Sequence, residues 1–497
     1  MGADAVPRLR EVDGEQEATK RPVHLWPPLE KISDRCCPSS TDRCWSLPAE
    51  VPDGWAAGEI EPSAPTSENG IAALLHGDRH EYFVYACVLG HRLRATSAAH
   101  GADRVLLCGP GFCSDPAARR ALRHAGWDFL LPVTPIAAEH LDKTRAKRHA
   151  LVFTKLRVLE LPYSKVLLLD LDLLPRHGAD VGDLFDVCAP AAKYHCAEYP
   201  GPLLDHGEEI PLSLREGYHW SPNAGMMRLD PLPTLIERRS QVNAMMKEIA
   251  QRDKETYLPE QYYLAERLTG WRHIDQNWNW EVWPEWDDAG ITHPVPLACR
   301  KAKSAGWASY YTGREWDDPP DAAGVLREVR VWHFSGSWDT APWMHLDLPD
   351  AAAVRQATSK RFSARDPAGI VATAHFEWRS ALDELLTEPS EDLSFLHGAV
   401  AELAARAAQT WANAWTCDYC GEACRRVRKV WDVPWSGEYC SGHWSKMDWT
   451  CAECIVAQLR AMDFRDCACS RSEAAEDSWQ WLESDAMQID PPYAYPA

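Results

Sequence analysis

The stretch KVLLLDLDLLP, residues 165–175, decides how this chain is read. Residues 166–169 are a continuous apolar run. Such a run reads as a strand buried on both faces, as in a parallel sheet covered by helices. It passes directly into Asp170-Leu171-Asp172. Strand side chains alternate faces, so two aspartates two residues apart point the same way and Leu171 points oppositely. Paired carboxylates repel each other and lose hydration, so an apolar strand carries them best beside a compensating cation. A hard divalent ion with oxygen ligands is the simplest such cation, and a nucleoside diphosphate can complete its shell. Taken alone, Asp-x-Asp also fits a loop cap or salt bridges to arginine.

Upstream, short apolar runs alternate with longer helical patterns. Residues 71–75, 104–108 and 129–133 read as strands, the second ended by Gly109-Pro110-Gly111. Residues 83–96, 115–125 and 153–161 read as helices between them. This alternation predicts a Rossmann-like α/β domain over residues 70–348 with a largely parallel sheet. In such sheets ligands gather at the carboxyl ends of the strands, where Asp170 and Asp172 stand. Residues 1–69 are rich in Pro, Glu, Asp and Ser and read as a disordered arm. Residues 349–415 form an Ala- and Leu-rich helical segment, 416–470 a cysteine-dense module, and 471–497 an acidic tail.

Composition narrows the partners. The chain has 497 residues, 73 acidic and 52 basic, for a net charge of −21. That field repels phosphate backbones and argues against nucleic acid as a main partner. A phosphorylated substrate therefore needs a local cation. Lys143, Arg145, Lys147 and Arg148 form one basic stretch, which also fits a solvated helix face. No run approaches the roughly 20 apolar residues of a membrane span, and the charged N-terminus lacks a signal-peptide pattern. A cytoplasmic protein is the expectation. Seventeen cysteines in such a chain read as thiols or metal ligands rather than disulfides.

Several motifs recur in one order. Residues 71–75 precede Tyr82 and Val88-Leu89-Gly90, and Phe153-Thr154-Lys155-Leu156 precedes Tyr163-Ser164-Lys165-Val166 and the Asp-Leu-Asp run. Asn223-Ala224-Gly225, Glu260-Gln261 and Val331-Trp332-His333-Phe334-Ser335-Gly336 follow. In this order and spacing the chain resembles glycosyltransferase family 8, the glycogenin-like enzymes, over about residues 70–345. The resemblance implies a GT-A type fold, a Rossmann-like mixed sheet flanked by helices. It implies a retaining hexosyltransferase that uses a UDP-sugar donor and an acceptor hydroxyl of unknown kind. It also implies Mn²⁺ (or Mg²⁺) held by Asp170, Asp172 and His333, a donor set that suits Mn²⁺. Tyr82, Leu171, Asn223, Gly225 and Gly336 would line the donor pocket, with Tyr82 stacked on uracil and Asn223-Ala224-Gly225 as the family's Asn-small-Gly turn. Lys155, Glu260 and Gln261 would serve the reacting sugar.

Two departures stand out. Glu260 replaces the family's usual aspartate, and no lysine precedes Pro342-Trp343 in HFSGSWDTAPW. The lost lysine normally touches the diphosphate, so a weak or inactive transferase-fold scaffold, binding partners through the cysteine module, is the alternative. Self-glycosylation is conceivable at Tyr194, Tyr199, Tyr218, Tyr310 or Tyr311.

The module itself repeats Trp-Thr-Cys-x-x-Cys at Cys417/Cys420 and Cys451/Cys454. Two-residue spacing lets both thiolates of a knuckle face one tetrahedral ion, so Zn²⁺ on these four is the expectation. Cys440 and His443, with Cys424 or Cys467, could hold a second ion. A structural role and a protein partner are expected of it.

Overall fold

A computed structural model describes residues 65–96, 101–138, 151–196, 204–211, 220–252, 259–282, 326–335, 341–361 and 369–412, with two-residue strands at 415–416 and 423–424. In chain order the strands are β1 (Asn69–Gly77), β2 (Asp103–Gly111), β3 (Phe129–Pro132), β4 (Lys165–Leu169), β5 (Leu173–Pro175), β6 (Ala191–Cys196), β7 (Trp220–Leu229), β8 (Arg272–His273), β9 (Trp280–Glu281), β10 (Val331–His333), β11 (Trp415–Thr416) and β12 (Ala423–Cys424). The α-helices are α1 (His80–Thr96), α2 (Pro116–Ala125), α3 (Leu235–Ala250), α4 (Pro259–Arg267), α5 (Ala351–Arg361), α6 (Ile370–Leu386) and α7 (Ser394–Ala412).

The central sheet has the order β3-β2-β1-β4-β7-β6-β8. Its first four strands are parallel. Strand β7 then enters antiparallel to both β4 and β6, and β6 pairs parallel with β8. The sheet is thus mixed, as the resemblance implies, with the expected parallel pairing in its first four strands. A second sheet, β5-β10-β9, stands beside it.

Period-two alternation builds the two faces of the core. Ile71, Ala73, Leu75, Leu167 and Leu169 pack beneath α1, α2, α6 and α7. Ala72, Leu74, Val166 and Leu168 pack on the opposite face against Phe153, Leu156, Val242, Met245 and Leu264. Both faces are buried, which is why these strands read as unbroken apolar runs. Local signals set the helix starts. Asp115 caps α2, accepting from Ala117 N at 2.7 Å ahead of Pro116, and Thr234 with Glu237 forms a capping box on α3.

Three expectations are corrected. The arm ends sooner, because Thr66 and Ser67 donate to Asp103 and β1 begins at Asn69. Residues 153–161 form a 3-10 rather than an α-helix, over Val152–Glu160. Its buried Phe153, Leu156 and Leu159 recur every third residue, the 3-10 period. Asn223-Ala224-Gly225 lies inside β7 and is not a turn.

The segment 349–415 shares the core of the sheet. Phe395 of α7 meets Phe83 edge-on at 4.9 Å, and Trp378 of α6 meets Tyr85 at 5.8 Å. Arg176, just after β5, holds Glu377 of α6 through two hydrogen bonds of 2.9 and 2.7 Å. Among the described residues no helix is long and apolar enough to cross a membrane.

Candidate functional site

The site begins where β4 ends. Asp170 N–H donates to Gly225 O of β7 at 2.8 Å, and the chain turns at once into β5, with Leu173 N bonded to Asp170 O at 3.3 Å. Asp170 and Asp172 therefore sit in a tight turn between strands. The strand alternation expected there gives way to this turn, which also brings the two carboxylates together. Leu171 turns into the core, so what it can offer a ligand is backbone.

His333 closes the group from the end of β10, fixed by the antiparallel pairing of β10 with β5 and by Phe334 N donating to Asp172 O at 2.9 Å. One ligand atom from each of Asp170, Asp172 and His333 lies within 4.8 Å of the others. Asp172 Oδ1 is 3.5 Å from His333 Nε2, yet it is buried with no hydrogen-bond partner among the described residues. A buried carboxylate oxygen without a donor costs on the order of a few kcal/mol. Two carboxylates and an imidazole with one orphaned oxygen fit a divalent ion such as Mn²⁺.

Lys155 lies on the other side of Asp170. Its ammonium is 2.7 Å from Asp170 Oδ1 and 3.2 Å from Glu260 Oε1. Glu260 Oε2 is a second buried oxygen without a partner among the described residues. Burial pushes the Asp170 carboxyl up, and neighbouring Lys155 only partly offsets this. Burial acts likewise on Asp172, but there the facing imidazole, Lys155 and a backbone hydrogen bond together bring the carboxyl below its usual value. Burial pulls His333 down, and Asp172, Glu281 and Asp170 together raise it above its usual value. Lys155 is depressed by burial and raised past its usual value by Asp170 and Glu260.

Behind the carboxylates lies a polar chain that the sequence reading missed. His333 Nδ1 is 2.7 Å from Asn279 Oδ1, and Asn279 Nδ2 donates to Asn223 Oδ1 at 3.0 Å. Gly225 N also donates to Asn223 Oδ1, at 2.9 Å. Asn223 Nδ2 and Ser335 Oγ donate to Glu281 Oε1 at 3.5 and 3.0 Å, and Glu281 Oε2 is 2.6 Å from Lys193 Nζ. Gly225 has a packing reason. A Cβ there would come within 2.9 Å of His333 Nδ1 and closer still to its Cε1. The missed residues did leave a trace: Asn279 and Glu281 alternate with Trp278 and Trp280, and Lys193 is a lone charge in an apolar strand.

The other expected residues are placed as follows. Gln261 Oε1 accepts from Ala224 N at 2.8 Å, tying α4 to β7. Tyr82, on the first turn of α1, is 39% exposed and carries the Arg79 guanidinium 5.2 Å from its ring. Pro342 and Trp343 open a short 3-10 turn. Arg406 of α7 stands 4.8 Å from the Trp343 ring and bonds Glu81 at 2.8 Å. Tyr194 lies on β6. Gly336, the basic stretch 143–148, Tyr199, Tyr218, Tyr310, Tyr311 and the tail lie outside the described residues, as do Cys417, Cys420, Cys440, His443, Cys451, Cys454 and Cys467. Cys424 lies in β12, with its side chain outside the described residues.

No protein-family model and no curated protein matches the chain. Solved structures do. The galactosyltransferase LgtC in complex with donor and acceptor sugar analogues is 18% identical, covers 67% of this chain and 99% of its own, and has a TM-score of 0.38. The apo bifunctional glycosyltransferase WbbM is 12% identical over 66% of this chain and 53% of its own, with a TM-score of 0.38. Apo mouse xyloside xylosyltransferase 1 is 15% identical over 54% of this chain and 97% of its own, with a TM-score of 0.31.

Proposed function

We propose that this chain is a metal-dependent glycosyltransferase. It moves a hexosyl unit from a UDP-sugar to an acceptor hydroxyl with retention of configuration. The observation that carries the reading is the convergence of Asp170, Asp172 and His333 around an orphaned carboxylate oxygen, with Lys155 and Glu260 alongside. Those three would hold Mn²⁺, which when bound supplies positive charge to a leaving diphosphate. Lys155 adds a fixed cation to a site that would otherwise repel phosphates. Glu260 Oε2 is available to accept from a sugar hydroxyl or to face positive charge developing at the anomeric carbon. Gln261 and Asn223 set the wall that β7 presents. Tyr82 offers an exposed aromatic face for the base.

On its spacing alone, the cysteine module is proposed to take Zn²⁺ through Cys417, Cys420, Cys451 and Cys454, which elemental analysis checks. The test of the main reading is UDP-sugar hydrolysis with Mn²⁺, scanned over several sugars, for the wild type and Asp172→Asn. Turnover that requires Mn²⁺ and is lost in the variant is expected. Absence of both turnover and Mn²⁺-dependent UDP binding would sink the transferase and leave the scaffold reading.

A further inference from the structure

The polar chain behind His333 has a direction, and the direction follows from which groups can only donate and which can only accept. Lys193, 1% exposed on β6, is a donor with no acceptor atom. Its ion-pair partner Glu281, on β9, is a carboxylate and therefore accepts, at 2.6 Å. Glu281 Oε1 accepts in turn from Ser335 Oγ at 3.0 Å and faces Asn223 at 3.5 Å. A carboxylate demands a donor, so the Asn223 atom facing it is the amide nitrogen. An independent contact says the same. Gly225 N–H, a backbone group that can only donate, points at the other Asn223 atom at 2.9 Å, which must be oxygen.

With Asn223 Oδ1 fixed as acceptor, Asn279 must turn its nitrogen toward it, as the 3.0 Å contact has it. Its oxygen is then left facing His333 Nδ1 at 2.7 Å. An oxygen there requires that Nδ1 carry the proton. The lone pair of the neutral ring is thereby left on Nε2, the nitrogen on the Asp172 side. Lys193 Nζ also donates to Asn279 O at 3.3 Å, holding the backbone of the same residue. Gly225 removes any Cβ that would push the ring aside.

We propose that Lys193 and Glu281 are positioning residues which, through Asn223 and Asn279, hold His333 as its Nδ1–H tautomer and present a bare Nε2 beside Asp172. In consequence, the ion pair sets the metal affinity of His333 from the adjoining strand, where Glu281 is the ladder partner of His333. That consequence rests on reading His333 as a metal ligand, whereas the tautomer itself does not. Partners of this kind orient a ligand ring and raise its basicity, and losing one typically costs about 10–100-fold in metal affinity.

The test has two readouts on the full chain. The first is the histidine tautomer by ¹⁵N NMR at alkaline pH without metal, with the His333 signals assigned by their loss in His333→Gln. The second is the affinity for Mn²⁺ alone, from the electron paramagnetic resonance signal of the free ion. In the wild type Nδ1 is expected to be the protonated nitrogen. Glu281→Gln keeps the volume but puts an amide nitrogen against either Lys193 or Asn223. It is expected to mix the tautomers and to weaken Mn²⁺ by about 10–100-fold. If Glu281→Gln does not fold, Ser335→Ala, which removes one donor from Glu281 Oε1, takes its place with a smaller loss expected. A wild-type His333 protonated on Nε2, or a folded variant with unchanged tautomer and Mn²⁺ affinity, overturns the inference. A wild type that binds no Mn²⁺ but shows the Nδ1–H ring removes the transferase reading and leaves the positioning chain standing.

Discussion

Two lysine–carboxylate clusters flank Asp170 and Asp172, and they are built to opposite ends. Around Lys155 the cluster is open. Asp170 and Glu260 share one ammonium, and Glu260 Oε2 and nearby Asp172 Oδ1 have no hydrogen-bond partner among the described residues. Around Lys193 it is closed. Lys193, Glu281, Asn223 and Asn279 are all buried, and none of their side-chain atoms is among the buried orphans. Satisfied buried networks rigidify, and unsatisfied ones store a cost that a ligand can relieve. Under the proposed function the difference separates a place prepared for a ligand from the frame that holds it.

The largest effect should come from the frame. Lys193→Met leaves Glu281 buried with an uncompensated charge, and breaking such a pair costs about 3–5 kcal/mol. Denaturant unfolding of the variant should show a loss of that order. A loss like that of an ordinary surface change would break the comparison, because the closed cluster would then not be holding anything.

The open cluster was the legible one. Asp170 and Asp172 announce themselves because an apolar strand runs straight into them, and Lys155, Glu260 and His333 follow from motif order. The four parallel strands were legible for the same reason, since strands buried on both faces become unbroken apolar runs. Strand β7 was not. Pro222, Asn223 and Gly225 break its apolar pattern, and they do so because that end of the strand is where His333 and Glu281 must be met. Lys193 and Glu281 are 88 residues apart, so their pairing leaves no local spacing to read. A polar network assembled across separate strands exists only after the register is known.

Acid should expose the frame next. His273 of β8 is buried, and burial brings its pKa down to about 4 from 6.5. Its Nδ1 accepts from Tyr194 N, the residue after Lys193, at 3.1 Å. The folded state thus binds this proton more weakly than the unfolded chain. The contribution is fully present above pH 6.5 and is lost as pH falls from 6.5 toward 4. Over that window it amounts to about 3 kcal/mol, or 1.36 per pH unit. Unfolding curves at the two ends of the window, for the wild type minus His273→Gln, measure it. A flat difference would mean that water reaches this edge of the frame.

Gly225→Ala probes the seam between the clusters. The new methyl would meet His333 and Asn223 at less than contact distance, and overpacking of that kind costs about 1–3 kcal/mol. The expected signature is a modest stability loss accompanied by weakened Mn²⁺ binding, since the ring must move to admit the methyl. Stability lost with Mn²⁺ affinity intact would show that β7 shifts instead and that the ring position is not what Gly225 protects.

The smallest effect is the sharpest test of the opening contrast. Lys155 Nζ already lies 2.7 Å from Asp170 Oδ1, an oxygen that a divalent ion at this site would also use. Two cations on one carboxylate repel, and the ammonium also competes for the oxygen that the metal would use. Lys155→Met should therefore bind Mn²⁺ alone severalfold more tightly than the wild type, although it loses a positive charge that a diphosphate would need. Its stability should fall less on the Asp170 side, where the carboxylate is 26% exposed and solvent takes over part of the compensation, than on the Glu260 side, where it is 8% exposed. Tighter metal with weaker UDP binding in one variant would mark Lys155 as a ligand-facing cation held in reserve by Asp170 and Glu260. Weaker metal would mean instead that Lys155 holds Asp170 in place, and the open cluster would belong to the frame as much as the closed one does.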